Sequence, residues 1–531
     1  MDRLLHGGVA LALGVIIVTV FSQFAPFNMD EFIHYHQIIC KHYPMSAVNI
    51  YREYCGAYDL NFLGTGFIVP LRSFGYTGSL PALYYYPLFL LWKSPLSARF
   101  LGYLFLLAQA GILSVLFRVS LWYTLTSLLL FFPYFFQHMV DTGPVGFHAT
   151  SVFLLYFLFQ KWCRTLRYRY PIVIGLTLAA GLWIKPSYLW LLPGIAMLFL
   201  LRVAETPSLF RKETARRRFL TQCCIAALIA LCITGAVYLS NNPLSAVGTS
   251  IYHRMRESNA YTLTELLQLF PHLPIIQRFM NPLEATHRVF QVAAPSLFTH
   301  VYYFVIYLTL PFFLIRSFLL APRARGLLRA NCLYVLFAAT IVLIARTQGS
   351  GSAHHLVLSF PFLILCLYET YAARISLRVK NFVYPWCALF IILNAYAFMT
   401  FAEQKLNDHD EPSKLIVQHI LADPSLSNRY LYVIIDWGMY YYLGLYGPRE
   451  QSILYMEPLR EEKYIKELKE IAEREHRKVL FIYKSVNPSS DMVLIQRAFT
   501  LLPCPLIPHD AVWQLLVEFD PEGETVCTRK Y

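Results

Sequence analysis

Apolar runs of about the 17–25 residues that cross a bilayer as a helix, or a little shorter, recur along most of this chain. They fall at about 8–27, 100–117, 119–136, 148–160, 171–185, 187–201, 219–239, 297–320, 331–346, 355–371 and 382–401. No soluble fold can bury so many such runs and still present a wettable surface. With 57% hydrophobic and only 15% charged residues among 531, the chain is expected to be an α-helical polytopic membrane protein of about eleven spans.

The net charge of +13 separates into two populations. Through Phe401 there are 30 Lys/Arg against 12 Asp/Glu, and from Ala402 onward 15 against 20. The basic excess sits in loops between spans, at Lys161–Arg169, Arg211–Arg218, Arg323–Arg329 and Arg374–Lys380. That is the pattern of cytoplasmic connections, so the charge is no argument for nucleic acid. Arg3 then puts the N-terminus inside, and an odd number of spans leaves the C-terminal segment outside. Membrane lipids surround the rest. The stretch Ser79–Pro95 (SLPALYYYPLFLLWKSP) reads as an interfacial helix, because counting it as a span would move the basic loops outside. The first apolar run lacks a small-x-small cleavage site before Asp30 and reads as a retained helix.

Two domains are expected. Residues 1–401 form the transmembrane part, with a first outer loop at about 28–98 and a long later one at about 240–296. Residues 402–531 form a small extracytoplasmic α/β domain. There a helix near 413–422, strands at Tyr430–Asp436, Val479–Tyr483 and Ala511–Phe519, and an amphipathic helix at about Leu459–Lys478 follow an acidic linker. Seven of the 11 cysteines lie in spans or at Cys163; Cys40, Cys55, Cys504 and Cys527 face outward and suit two disulfides in an oxidising compartment.

Acids are scarce in the membrane part, and those on the outer side are the candidates for chemistry. Asp30 and Glu31 follow the first span directly. Asn28 with Glu31 also fits a helix-capping pair, and the two readings are compatible. Asp141 lies in the short loop Gln137–Pro144, where it is either a turn residue or part of a site. His34 is one helical turn after Asp30. With His36 it is a candidate metal ligand, and His148, His354 and His355 could complete such a set; a divalent metal is admitted but not required. Lys93, Arg99, Lys185, Arg346, His354 and His355 are the outward cations and donors that could hold a phosphate. Lys185 stands between two apolar spans without an acid beside it, and Arg346–His355 is a glycine-rich turn that lacks the Walker lysine pattern.

The order of these parts resembles the GT-C superfamily of integral membrane glycosyltransferases, in the branch of protein O-mannosyltransferases and lipid A aminoarabinose transferases. The residues that carry the resemblance are Met29-Asp30-Glu31, Pro81-Ala82-Leu83-Tyr84-Tyr85, Ala98-Arg99-Phe100 and Asp141. It implies an inverting transferase that moves a sugar from a polyprenyl-phosphate donor to an acceptor hydroxyl on a lipid, glycan or protein. Asp30 would be the general base, Glu31 a supporting group and Asp141 a second acid. The resemblance further points to a bacterial inner membrane. A transporter or flippase of an anionic lipid-linked solute is the alternative, and would place charged groups inside several spans.

Overall fold

The computed structural model describes residues 2–24, 34–42, 59–61, 68–74, 77–239, 325–348, 353–372, 430–434, 444–446, 453–455, 462–484, 501–503 and 513–518, with isolated positions 388, 392 and 399. They fall into two compact units. The first comprises 1–25, 75–81 and 96–406; the second comprises 26–74, 82–95 and 407–531.

The first unit is a helix bundle. Its longer helices among the described residues are α1 (Asp2–Phe24), α2 (Pro95–Phe117), α3 (Leu121–Leu130), α4 (Phe132–Val140), α5 (Pro144–Thr165), α6 (Arg169–Ile184), α7 (Leu192–Ala204), α8 (Glu213–Leu239), α9 (Arg325–Gln348) and α10 (Phe360–Ala372). Two of the described helices, Pro95–Phe117 and Glu213–Tyr238, are long and apolar enough to cross a membrane unaided; others are shorter apolar helices. The predicted spans at 297–320 and 382–401 lie outside the described residues, apart from isolated positions.

Three predicted spans are built differently from a single helix. The run at about 119–136 breaks at Phe131 into α3 and α4, because Pro133 in the first turn of α4 has no N–H to continue the helix. The runs at 187–201 and 355–371 each open with a 3-10 turn, Pro186–Trp190 before α7 and Ala353–Ser359 before α10.

Contacts fix which helix termini share an end of the bundle. At one end Arg99 in the first turns of α2 bonds Ser22 near the end of α1. There too His148 near the start of α5 bonds the Gly181 carbonyl near the end of α6. The Trp190 and His355 rings of the two 3-10 turns also meet, with centroids 5.2 Å apart. At the other end, Trp162 of α5 donates to Gln222 of α8 (2.6 Å), and Gln222 closes the αL turn at Leu166 through its carbonyl (2.8 Å).

That second end also holds a closed charge network. Arg202 lies 2.8 Å from Glu205 and 3.4 Å from Glu369, and Arg329 lies 3.0 Å from Glu205 and 2.8 Å from Glu369. Tyr156 donates to Glu369 and lies under the Arg202 guanidinium. Two cations and two anions at helix ends neutralise each other, so this is a clamp on α5, α7, α9 and α10. It is unlike the string of charges along several spans that a transporter would need.

The second unit carries the tail sheet. Its strands are β1 (Tyr430–Ile434), β2 (Ile453–Tyr455), β3 (Lys478–Lys484), β4 (Leu501–Pro503) and β5 (Trp513–Glu518), in the order β2-β1-β3-β5-β4. β1 pairs in parallel with both β2 and β3, while β5 runs antiparallel to β3 and β4. The two central parallel strands are apolar on both faces, as Leu431, Tyr432, Val433 and Val479–Ile482 are all buried. Helix α11 (Glu462–Glu475) buries Leu468, Ile471 and Ala472 and ends at His476 with positive φ. Strands β2 and β4 were not anticipated, since three residues are too few for a period to show; the predicted helix near 413–422 lies outside the described residues.

The helix Leu80–Leu91, which belongs to this unit from Ala82 onward, has 12 residues. At 1.5 Å per residue it is about 18 Å long, short of the roughly 30 Å hydrocarbon core. Tyr85 is buried, its ring centroid 4.2 Å from that of Tyr35 in a tilted pair, with its hydroxyl 2.8 Å from that of Tyr446, while Leu90 and Leu91 are exposed.

Candidate active site

Helices that end and start at one pole of a bundle bring their caps together, and polar residues in those turns then converge even when the helices are apolar. In the first unit this happens at the pole defined by Arg99, His148 and the two 3-10 turns.

Asp141 is the C-cap of α4, with its N–H on the Gln137 carbonyl at 2.9 Å. Thr142 and Gly143 complete the turn and Pro144 opens α5, the compact bend expected from Gly and Pro. Asp141 is nevertheless 6% exposed, which is deep for a turn carboxylate. Gly102 of α2 explains how the turn packs so closely. A Cβ there would stand 2.0 Å from the His138 carbonyl oxygen and 2.9 Å from Thr142 Cγ2. Arg99 is one turn earlier on α2, fully buried, with its guanidinium 5.3 Å from the Phe21 ring centroid.

Behind Asp141 a hydrogen-bond relay fixes α4. The Tyr134 hydroxyl donates to Gln109 Oε1 (2.6 Å), and Gln109 Nε2 lies 2.9 Å from both His138 Nε2 and Thr150 Oγ1. His138 Nδ1 meets the Tyr134 carbonyl at 2.8 Å, and since a carbonyl only accepts, Nδ1 carries the proton and Nε2 accepts from Gln109. Gln109 and His138 were not singled out beforehand; a lone glutamine inside an apolar run was the available signal.

Lys185 forms the joint between α6 and the Pro186–Trp190 turn, in extended backbone, and is partly exposed. No carboxylate pairs with it among the described residues. The backbone of Gly78 crosses this corner so closely that a Cβ would overlap the Trp183 carbonyl. His355 is buried against Trp190. Arg346 stands in the last turn of α9 and His354 in the 3-10 turn before α10, with their side chains outside the described set.

The remaining candidates belong to the second unit. His34 and His36 are buried there and Lys93 is exposed. Asp30 and Glu31 lie outside the described residues, as do Cys55, Cys504, Cys527 and the side chain of Cys40. Among the described residues no three His, Cys, Asp or Glu gather as a metal set.

Among solved structures, the chain is similar to ArnT from Cupriavidus metallidurans bound to undecaprenyl phosphate. The TM-score is 0.58 at 11% identity, and the match covers 97% of this chain and 98% of that one. The chain shares the fold of that structure. The resemblance read from Met29-Asp30-Glu31 and its companions therefore holds at the level of fold, over nearly the whole length. ArnT from the same organism in the apo state matches at TM-score 0.40 and 12% identity, covering 96% and 98%. No protein-family model matches the chain, and no curated protein does.

Proposed function

We propose that this chain is an inverting glycosyltransferase of the membrane, which transfers a sugar from a polyprenyl-phosphate carrier to an acceptor hydroxyl on the extracytoplasmic face. The observation that carries this reading is the likeness in fold to a protein solved with undecaprenyl phosphate bound. It is supported by the bundle's polar pole, where Lys185, Arg99 and Asp141 stand on turns of otherwise apolar helices.

The chemistry needs few parts. The acceptor oxygen attacks the anomeric carbon, the carbon–oxygen bond to phosphate breaks, and the carrier leaves as a stable phosphate anion. A base must take the acceptor proton, and cations must balance the charge that grows on the phosphate. Asp30 is assigned the base and Glu31 its support, with Asp141 shaping the acceptor side. Lys185 is the first choice for the phosphate, because it is partly exposed and no carboxylate pairs with it among the described residues. Arg346, Lys93, His354 and His355 complete the donor pool. Arg99 already bonds Ser22, so its share is to hold α1 and lend positive potential. One base opposite the leaving group gives a single displacement, hence inversion.

About eleven spans with a cytoplasmic N-terminus belong to this proposal, and so does the division into a membrane domain, 1–401, and an extracytoplasmic domain, 402–531. The test is transfer from a labelled polyprenyl-phosphate sugar in membranes. Asp30→Asn is expected to lower the rate by at least about 100-fold; a folded variant at wild-type rate removes Asp30 from the mechanism. Cysteine labelling of residues 402–531 in sealed vesicles checks the side, and a cytoplasmic tail would overturn the topology.

A further inference from the structure

The turn that carries Lys185 also encloses two polar atoms without a hydrogen-bond partner among the described residues. His148 is fully buried on the second turn of α5, and its Nε2 meets the Gly181 carbonyl at 3.0 Å. A carbonyl can only accept, so Nε2 holds the proton and Nδ1 of the neutral ring is a bare lone pair. Nδ1 is shut off from solvent and has no hydrogen-bond partner among the described residues. Ser187 Oγ, in the next turn of chain after Lys185, is likewise buried and without a partner among them.

Packing holds both groups in place. The Tyr188 ring lies 4.9 Å from the His148 ring, and the Tyr188 hydroxyl is 2.9 Å from Ser151 Oγ, one turn further along α5. Gly181 lets this ring in, since a Cβ there would stand 2.5 Å from it. Lys185 is close enough for its charge to act on the imidazole. Two fixed, buried and unsatisfied polar atoms beside a cation are costly unless something binds them.

The chemistry of the set selects the ligand. A lone pair at Nδ1 accepts from an O–H or N–H and offers nothing to a phosphate oxygen. A serine hydroxyl can donate or accept, and a lysine ammonium suits an anion. A group bearing hydroxyls or an amine directly next to a phosphate answers all three. We propose that His148 and Ser187 form a subsite for a hydrogen-bond-donating group of the sugar in the lipid-linked donor, with its phosphate on Lys185. This rests on the lipid-linked donor reading above. It adds the residues that tell a loaded carrier from an empty one.

The test measures binding by the full chain in nanodiscs. The probes are bare undecaprenyl phosphate, an undecaprenyl-phosphate hexose and an undecaprenyl-phosphate aminopentose. Wild type is expected to bind at least one sugar-bearing lipid more tightly than the bare one. His148→Phe keeps a ring against Tyr188 and is expected to shrink that preference about tenfold, the worth of one buried hydrogen bond, with bare-lipid affinity unchanged. Ser187→Ala leaves the His148–Gly181 bond alone and is expected to act in the same direction, which guards against misfolding of the first variant. Lys185→Met should weaken all three lipids together. If wild type binds the bare and sugar-bearing lipids alike, or if both His148→Phe and Ser187→Ala keep the full preference, the two atoms serve buried water and the subsite is overturned. If wild type binds none of the lipids, the carrier reading falls, and the subsite with it.

Discussion

Arg99 donates through Nη1 to Ser22 Oγ at 2.9 Å, across 77 positions of chain, and so fastens the first turns of α2 to the last turn of α1. With no solvent exposure and Phe21 under the guanidinium, the pair closes the end of the helix from which the Asp30 segment departs.

Arg99→Ala should therefore destabilise the protein by roughly 2 kcal/mol, through the lost charge-assisted bond and the lost ring contact. Arg99→Lys should recover only part of this, because an ammonium cannot bond Ser22 and cover Phe21 in the same pose. Thermal unfolding in detergent checks both, and equal stability of Arg99→Ala and wild type would refute the strap.

Glu369→Gln should be the most damaging single change in the clamp. It removes the anion shared by Arg202 and Arg329, leaving two cations for Glu205 alone. Breaking one partner of a buried pair costs about 3–5 kcal/mol. Replacing Arg202, Arg329, Glu205 and Glu369 together by apolar residues of similar volume should recover much of the loss. A denaturation series across these variants decides it.

Gly102→Ala puts a methyl group against the His138 carbonyl and Thr142. Backbone must move, at about 1–3 kcal/mol, and the piece that moves carries Asp141. Transfer activity should fall by more than the folded fraction does; activity that tracks folding alone would make the contact purely structural.

Gln109→Leu strips the Tyr134 hydroxyl and His138 Nε2 of a partner at once. Each unsatisfied buried group costs about 1–3 kcal/mol. The double change Gln109→Leu with Tyr134→Phe should be less harmful than Gln109→Leu alone, an inversion that stability measurements would expose.

What the sequence could carry is visible in these same residues. Long apolar runs located the described helices, since burial in lipid or bundle asks only for length and hydropathy; α6 begins and ends close to its predicted run, while α2 and α9 end close to theirs but start at Pro95 and Arg325, ahead of the predicted 100 and 331. Tyr430 and Val479 marked the central strands because both faces are apolar. The break at Phe131 and the two 3-10 turns were hidden, as a proline near a helix start is ordinary and hydropathy does not register winding. Partners far apart in the chain were hidden too. Arg202 finds Glu369 across 167 positions, and no local pattern announces that. Arg99 was expected to meet phosphate from its place at a helix start; its bond to Ser22 depends on how α1 packs, which no local pattern shows.

The clamp of Arg202, Glu205, Arg329 and Glu369 sums to zero charge. In a membrane held at a voltage, the field exerts no net pull on such a cluster, so the clamp can lock four helices together without itself acting as a voltage-sensing charge.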